Sequence, residues 1–191
     1  MLILKMYITM LPVILGGILN MLFVKTPLYR KLKAPIDCGK SLRDGKRIFG
    51  GNKTWIGFFG MIVFCAAAQA GWGAVCLRFP DLCYIYFRFE NTFPFNLIVG
   101  AALGFVYMLF ELPNSFVKRR LDIPDGKTVG GIKGRVFFFV DQVDSLFGTA
   151  AVFALLYPMP VWQYFLYILL GAATHLLVNS ILFALKIRKN L

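Results

Sequence analysis

Residues 136–158 read VFFFVDQVDSLFGTAAVFALLYP. The run is long and apolar enough to cross a bilayer, which takes about 20 mainly apolar residues, yet it carries Asp141 and Asp144. A carboxylate at membrane depth is costly, so it is expected to be paired, to face the bundle interior or a wet cavity, and to mark function. The i, i+3 spacing sets both on one face of a helix. Two carboxylates on one helical face can hold a divalent cation.

Four further stretches around that run are of spanning length: 4–24, 55–77, 96–113 and 161–185. With 136–157 they predict an all-α integral membrane protein, a single bundle of five transmembrane helices forming one domain over 1–191. Composition agrees. Of 191 residues 59% are hydrophobic, the mean hydropathy is +0.70, and charged residues reach only 16%, against about 25% in soluble domains. Gly16-Gly17 leads into more apolar sequence rather than a small-residue cleavage site, so the first helix is expected to be retained.

Eighteen of the 21 Lys and Arg fall into three groups: 25–53, 118–135 and the tail KIRKN. Five spans put these groups on one side, and the positive-inside rule makes that side the cytoplasm. The expected topology has the N-terminus outside, the C-terminus cytoplasmic, and cytoplasmic loops at 25–54 and 114–135. The net charge of +12 then needs no nucleic acid, because basic loops lean on anionic headgroups of membrane lipids; Lys25, Arg30, Lys31, Lys186 and Arg188 are assigned to that surface. The aromatic segment 78–95 is expected along the outer interface. Cys38, Cys65, Cys76 and Cys83 show no metal-ligand spacing; Cys65 and Cys76 are expected to pack as small apolar residues.

The first loop, KAPIDCGKSLRDGKRIFGGNKTWIG, sets Asp37 and Asp44 among Lys40, Arg43, Lys46, Arg47 and Lys53, with glycines that let backbone approach a ligand. Lys53-Thr54 just ahead of a helix would bring an ammonium, a hydroxyl and free N–H groups to a helix N-terminus, a ready anion site. An ordered surface loop is the competing account. In the second loop Asn114, Ser115, Lys118 and Arg119 cluster at the end of the third span, sharing a face by their i, i+3 and i, i+4 spacing. Glu111, inside that span, is expected to pair with one of these bases or to join a metal site. His175 and Asn179, one turn apart in the last span, either bond neighbouring helices or position a substrate phosphate beside the aspartates. Paired carboxylates facing many bases point to a membrane enzyme of phosphate chemistry.

PIDCGKSLRDGKRIFGGNKTWIG, NSFVKRR, DQVDS and the HLLVN of the last span together resemble the CDP-archaeol synthase family, small relatives of the phosphatidate cytidylyltransferases. The resemblance runs from about Pro35 to Asn179. The larger enzymes carry a serine, Lys-Arg, a Pro-Gly-His-Gly-Gly loop and a spaced aspartate pair; Ser115, Lys118-Arg119 and Asp141/Asp144 match the ends of that signature. Gly130, Gly131 and Gly134 fill the interval without a histidine, which favours the small family. The resemblance implies transfer of cytidylate from CTP to a lipid phosphate of the archaetidic or phosphatidic acid type, releasing pyrophosphate. It also implies a Mg2+ requirement and a site open to the cytoplasm of a multi-pass protein in the cell membrane.

On this reading Asp141 and Asp144 bind Mg2+, which keeps phosphate oxygens in its shell. Lys46, Arg47 and Lys53, with Thr54, receive the triphosphate, and Lys118 and Arg119, with Asn114 and Ser115, sit where the lipid phosphate lies. Asp37 and Asp44 orient those bases or touch the nucleotide. Two other classes stand beside it: a CDP-alcohol phosphotransferase, whose longer aspartate pattern is absent, and a non-enzymatic transporter or assembly subunit, for which no internal repeat speaks. An oligomer is compatible with all three.

Overall fold

The computed structural model describes residues 1–79, 83–127 and 129–185; the basic tail counted above lies outside them. It is all-α. Five helices are long and apolar enough to cross a membrane: α1 (Leu2–Phe23), α3 (Trp55–Cys76), α4 (Phe93–Arg120), α5 (Gly131–Leu156) and α6 (Val161–Ala184), with a short α2 (Pro27–Leu32) after the first. Side chains that face outward are apolar, among them Phe59, Ile98, Phe139, Leu155 and Leu169. That is the surface a bilayer demands of a helix whose own backbone bonds are satisfied internally.

Threonines set the helix starts. Thr26, Thr54 and Thr92 each accept a bond from the N–H three residues on, at 3.3, 3.2 and 3.4 Å, and Pro27 and Pro94 occupy first-turn positions that need no donor. The helices extend past the apolar stretches at the loop end: α4 continues to Arg120 and α5 begins at Gly131. Lys118, Arg119 and Arg120 close α4, where cations complement the helix dipole.

Packing proceeds α1 on α3, α3 on α4, α4 on α5 and α5 on α6. The α3–α4 contact is closest because α4 carries Gly100 and Gly104 one turn apart; a Cβ there would meet Cys65 O at 2.5 Å and Met61 O at 2.6 Å. Such small-residue spacing lets membrane helices approach to backbone contact. The chain of neighbours does not close tightly. α1 and α6 barely touch, and a cavity of about 190 Å³ opens between α1, α4, α5 and α6.

One expectation is corrected in part. Phe79, Phe87, Phe89 and Phe93 of the 78–95 segment are exposed, but its middle is not at the surface: Cys83 and Ile85 are buried, and Tyr84–Phe87 forms a short 3₁₀ helix. Polar groups of the helices draw it in. Tyr84 N–H donates to Thr9 Oγ1 at 3.2 Å, Tyr86 Oη donates to Asn96 at 2.8 Å, and Tyr84 stacks on Tyr157 at 4.8 Å. Cys65, Cys76 and Cys83 are buried free thiols, and Cys38 is exposed.

Candidate active site

Glu111, Asn114 and Lys118 recur at spacings of three and four, so α4 shows all three on one face. Asp141 and Asp144 of α5 meet that face. Asn114 Nδ2 donates to Asp141 at 2.7 Å and to Asp144 at 2.6 Å. Lys118 Nζ donates to both Asp141 oxygens, at 2.5 and 2.6 Å. Asp144 accepts from neutral donors, Asn114 and its neighbour Ser145 N–H at 2.7 Å. Lys53 comes in from the first loop and pairs with Glu111. Burial works against the Lys53 ammonium, yet Glu111, joined by Asp144 and Asp141, outweighs it and holds the amine above the ordinary lysine range. Three carboxylates thus face two ammonium groups in a partly buried cluster.

Part of the cluster borders two cavities: Asp141 lines one, Lys53 the other, and Glu111 both. The one between α1 and α6 is walled mostly by apolar side chains such as Val13, Phe153 and Val178. A second, of about 300 Å³, is lined by Asn20, Lys25, Tyr29, Asn52 and Lys53. Gly17, Met21, Tyr107 and Glu111 border both. Asn20 Oδ1 is buried there with no hydrogen-bond partner.

Other expected site residues divide between ligand-facing positions and scaffolding. Thr54 is buried as the α3 cap and is also bonded to Tyr29 Oη at 2.9 Å, so its hydroxyl organises the loop end. Asp37 is buried too. It accepts from Gly39, Phe49 and Gly50 N–H at 3.0, 3.1 and 2.9 Å and pairs with Arg47. Burial pushes its carboxyl up, but the Arg47 guanidinium and the N–H groups of Gly50, Phe49 and Gly39 prevail and hold it at about 2. Lys46 reaches away from the cluster, to Arg120 O at 2.9 Å and Asp122 at 2.7 Å. Asp44 binds Arg120 at 2.5 Å. Arg119 turns from the Lys118 side to Asp125. Ser115 is buried in α4. His175 Nε2 bonds Tyr107 Oη at 3.0 Å and Asn179 donates to Gln142 at 3.2 Å, so the last span ties α4 and α5 together at the cluster's edge.

Asp122, Asp125 and Arg120 were not foreseen as site elements. They latch the second loop to the first, and a pairing between distant loops leaves no periodicity to read. Gln142 and Tyr107 were also missed, although a third polar residue between Asp141 and Asp144 was a usable signal.

A profile of the CarS-like family, CDP-archaeol synthase, matches residues 1–190. The chain belongs to the CDP-archaeol synthase family. The CDP-archaeol synthase of Pyrobaculum islandicum is 30% identical over 159 residues, covering 83% of this chain and 82% of the relative. That of Archaeoglobus fulgidus is 32% identical over 163 residues, covering 81% and 82%. A solved structure described as an intramembrane enzyme for archaeal membrane lipid biosynthesis superposes with a TM-score of 0.59 at 26% identity, over 90% of this chain and 88% of the other.

The oxygen set fits Mg2+. Among the described residues no three His, Cys, Asp or Glu side chains gather as a metal site, but Mg2+ usually binds through one or two carboxylates plus substrate phosphates. Asp141 and Asp144 supply the pair, Asn114 Oδ1 is a buried oxygen without a partner beside them, and the excess of carboxylates over ammonium groups favours a cation.

Proposed function

We propose that this member of the family transfers cytidylate from CTP to a lipid phosphate, giving a CDP-activated lipid and pyrophosphate for phospholipid synthesis. One observation carries the residue assignment: the Asp141–Asp144–Asn114–Lys118 constellation adjoins the Lys53–Glu111 pair, and Glu111 stands at the junction of two cavities, with Asp141 lining one and Lys53 the other. A substrate with a charged head and long chains needs that junction. The chamber with Asn20, Asn52 and Lys53 takes the nucleotide, and the cleft between α1 and α6 takes the lipid chains.

A lipid phosphate oxygen attacks the α-phosphorus, a new P–O bond forms, and the bond to the β-phosphate oxygen breaks to release pyrophosphate. This chemistry asks for positioning and charge stabilisation rather than a protein nucleophile. Lys118 holds the lipid phosphate against Asp141, and Lys53 exchanges Glu111 for a nucleotide phosphate; both ammonium groups offset the charge that grows on the leaving pyrophosphate. Asn114 keeps the two aspartates apart and aligned. Mg2+, when bound by Asp141 and Asp144, would supply Lewis-acid polarisation and neutralise phosphate charge. Arg47, held by Asp37, and Arg119 take further phosphate oxygens, while Lys46, Asp44, Arg120 and Asp122 lock the two loops as one wall. The positive-inside rule places that wall in the cytoplasm, where CTP is.

Purified protein incubated with radiolabelled CTP, Mg2+ and either an ether-linked or an ester-linked lipid phosphate is expected to yield a cytidine-containing lipid and pyrophosphate. Absence of labelled lipid with both substrates overturns the assignment.

A further inference from the structure

Asp125 occupies a place built for another anion. One carboxylate oxygen accepts from Gly51 N–H at 2.5 Å and the other pairs with the Arg119 guanidinium. Gly50, at φ +99, clears the space: a Cβ there would overlap the Asp125 carboxyl. An added Cβ on Gly51 would stand 3.4 Å from both Arg47 Nη1 and Asp125 Oδ2, so a second guanidinium lies close by, on the far side of Gly51 and paired with Asp37 rather than with Asp125. Arg119 and Arg47 each keep a buried Nε without a partner, and the Arg119 side chain is only 11% exposed. A backbone N–H, two guanidinium groups with spare donors and a glycine-cleared floor make a phosphate seat. The Asp125 side chain, 32% exposed, reaches it from solvent.

We propose that Asp125 is a tethered stand-in ligand: it fills a phosphate seat formed by Arg119, Gly51 N–H and Arg47, and a substrate phosphate must displace it to bind. The idea rests on the cytidylyl-transfer reading above and adds a regulation of that site. A group on the same chain competes at an effective concentration on the order of millimolar, and apparent affinity falls by the fraction of seats left open. Asp125 therefore acts through Arg119 as a positioning residue, setting how much substrate is needed rather than how fast bound substrate reacts. The displacing phosphate comes either from the nucleotide's pyrophosphate end or from the lipid head; the seat's chemistry is common to both.

The test compares wild type with Asp125→Asn, which keeps an acceptor for Gly51 N–H, and with Asp125→Ser, which withdraws from the seat. Calorimetry with inorganic pyrophosphate and with a short-chain lipid phosphate reads binding, and steady-state assays read KM against kcat. Removing the stand-in is expected to tighten one ligand about five-fold and lower the matching KM by a like factor, with little change in kcat. Tightening of pyrophosphate assigns the seat to the nucleotide; tightening of the lipid phosphate assigns it to the lipid. Should Asp125→Asn not fold, Asp125→Ser is read alone. Unchanged or weaker binding of both ligands overturns the proposal, because a carboxylate that only braces the loops would loosen the site when removed. The calorimetry stands even if wild type turns over no CTP, so failure of the transfer reading is told apart from failure of this one.

Discussion

The two ends of the bundle solve the same problem with different chemistry. Every ion pair among the described residues lies at the end built by loops 25–54 and 114–135 and the adjoining turns of α4 and α5. At the opposite end the buried polar groups are neutral. Gln69 donates to Asn96 at 3.0 Å, Asn96 to Asn91 at 2.7 Å, and Asn91 to Gly73 O at 2.8 Å. Beside them Tyr157 donates to Tyr167 at 2.7 Å and Gln163 donates to Tyr157 at 3.0 Å. Neutral amides and phenols bond one another and join helices, and an oxygen left over, such as the buried Gln69 Oε1, costs less than a stranded charge. Charges taken from water are costly unless paired, and a paired charge is one that a phosphate or a cation can claim in exchange. The neutral end is glue, and the charged end has the chemistry the proposed site needs.

The difference is sharpest at the aspartates. Asp141→Asn and Asp144→Asn are each expected to lower CDP-lipid formation about 100-fold or more, with thermal stability in detergent near wild type for Asp144→Asn, whose donors are neutral, and lowered for Asp141→Asn, which leaves the Lys118 ammonium without its carboxylate. Radiolabel transfer against a melting curve checks this; near-normal turnover in both would strip the pair of its role.

Lys53→Met breaks a pair and strands Glu111, a loss of about 3 kcal/mol for a pair this buried. Lys53→Met with Glu111→Leu should recover most of that stability while remaining inactive. A double variant that regains activity would mean the pair serves only the fold.

Asp37 makes the loop's order depend on pH. Its carboxyl titrates at about 2 when folded, against 3.8 for the free group. A depressed folded value means its contribution is complete above the unfolded value and is lost as pH falls toward 2. Wild type should therefore lose stability between about pH 4 and 2, while Asp37→Asn starts lower at pH 7 and falls less steeply over that window. Parallel acid profiles from thermal unfolding would refute it.

The smallest effect belongs to the neutral end. Gln69→Leu should cost about 1 kcal/mol and leave kcat within about two-fold, since it alters glue far from the phosphates. A large loss of turnover would erase the contrast between the ends.

Much of this was legible from the chain. Apolar runs of spanning length announced the helices, and α4 and α5 outran them mostly at the charged loop end. Asp141 and Asp144 stood out because carboxylates are rare at membrane depth, and Asn114 and Lys118 because their spacing gathers polar groups on one face at the end of a span. The 3₁₀ turn at Tyr84–Phe87 was misjudged as surface because aromatic residues read alike at a lipid interface and in a packed core. Thr54 stood out as a ligand candidate and caps α3, and Asp37, expected either to orient the bases or to touch the nucleotide, holds Arg47 and the loop's N–H groups, since one hydroxyl or carboxylate serves a backbone N–H as readily as a substrate.

Local chemistry is written along the chain: hydropathy sets which segments leave water, and i, i+3 spacing sets which side chains share a face. From these alone followed a membrane bundle and a carboxylate pair within it, and the loop and span motifs carried the family resemblance. Which opposite charges meet is a matter of how helices and loops dock in three dimensions. Lys53 finding Glu111, Arg119 choosing Asp125 over the cluster, and Lys46 crossing to Asp122 depend on separations that no sequence interval encodes. An ion pair's energy depends on distance and burial, and only the assembled bundle sets either.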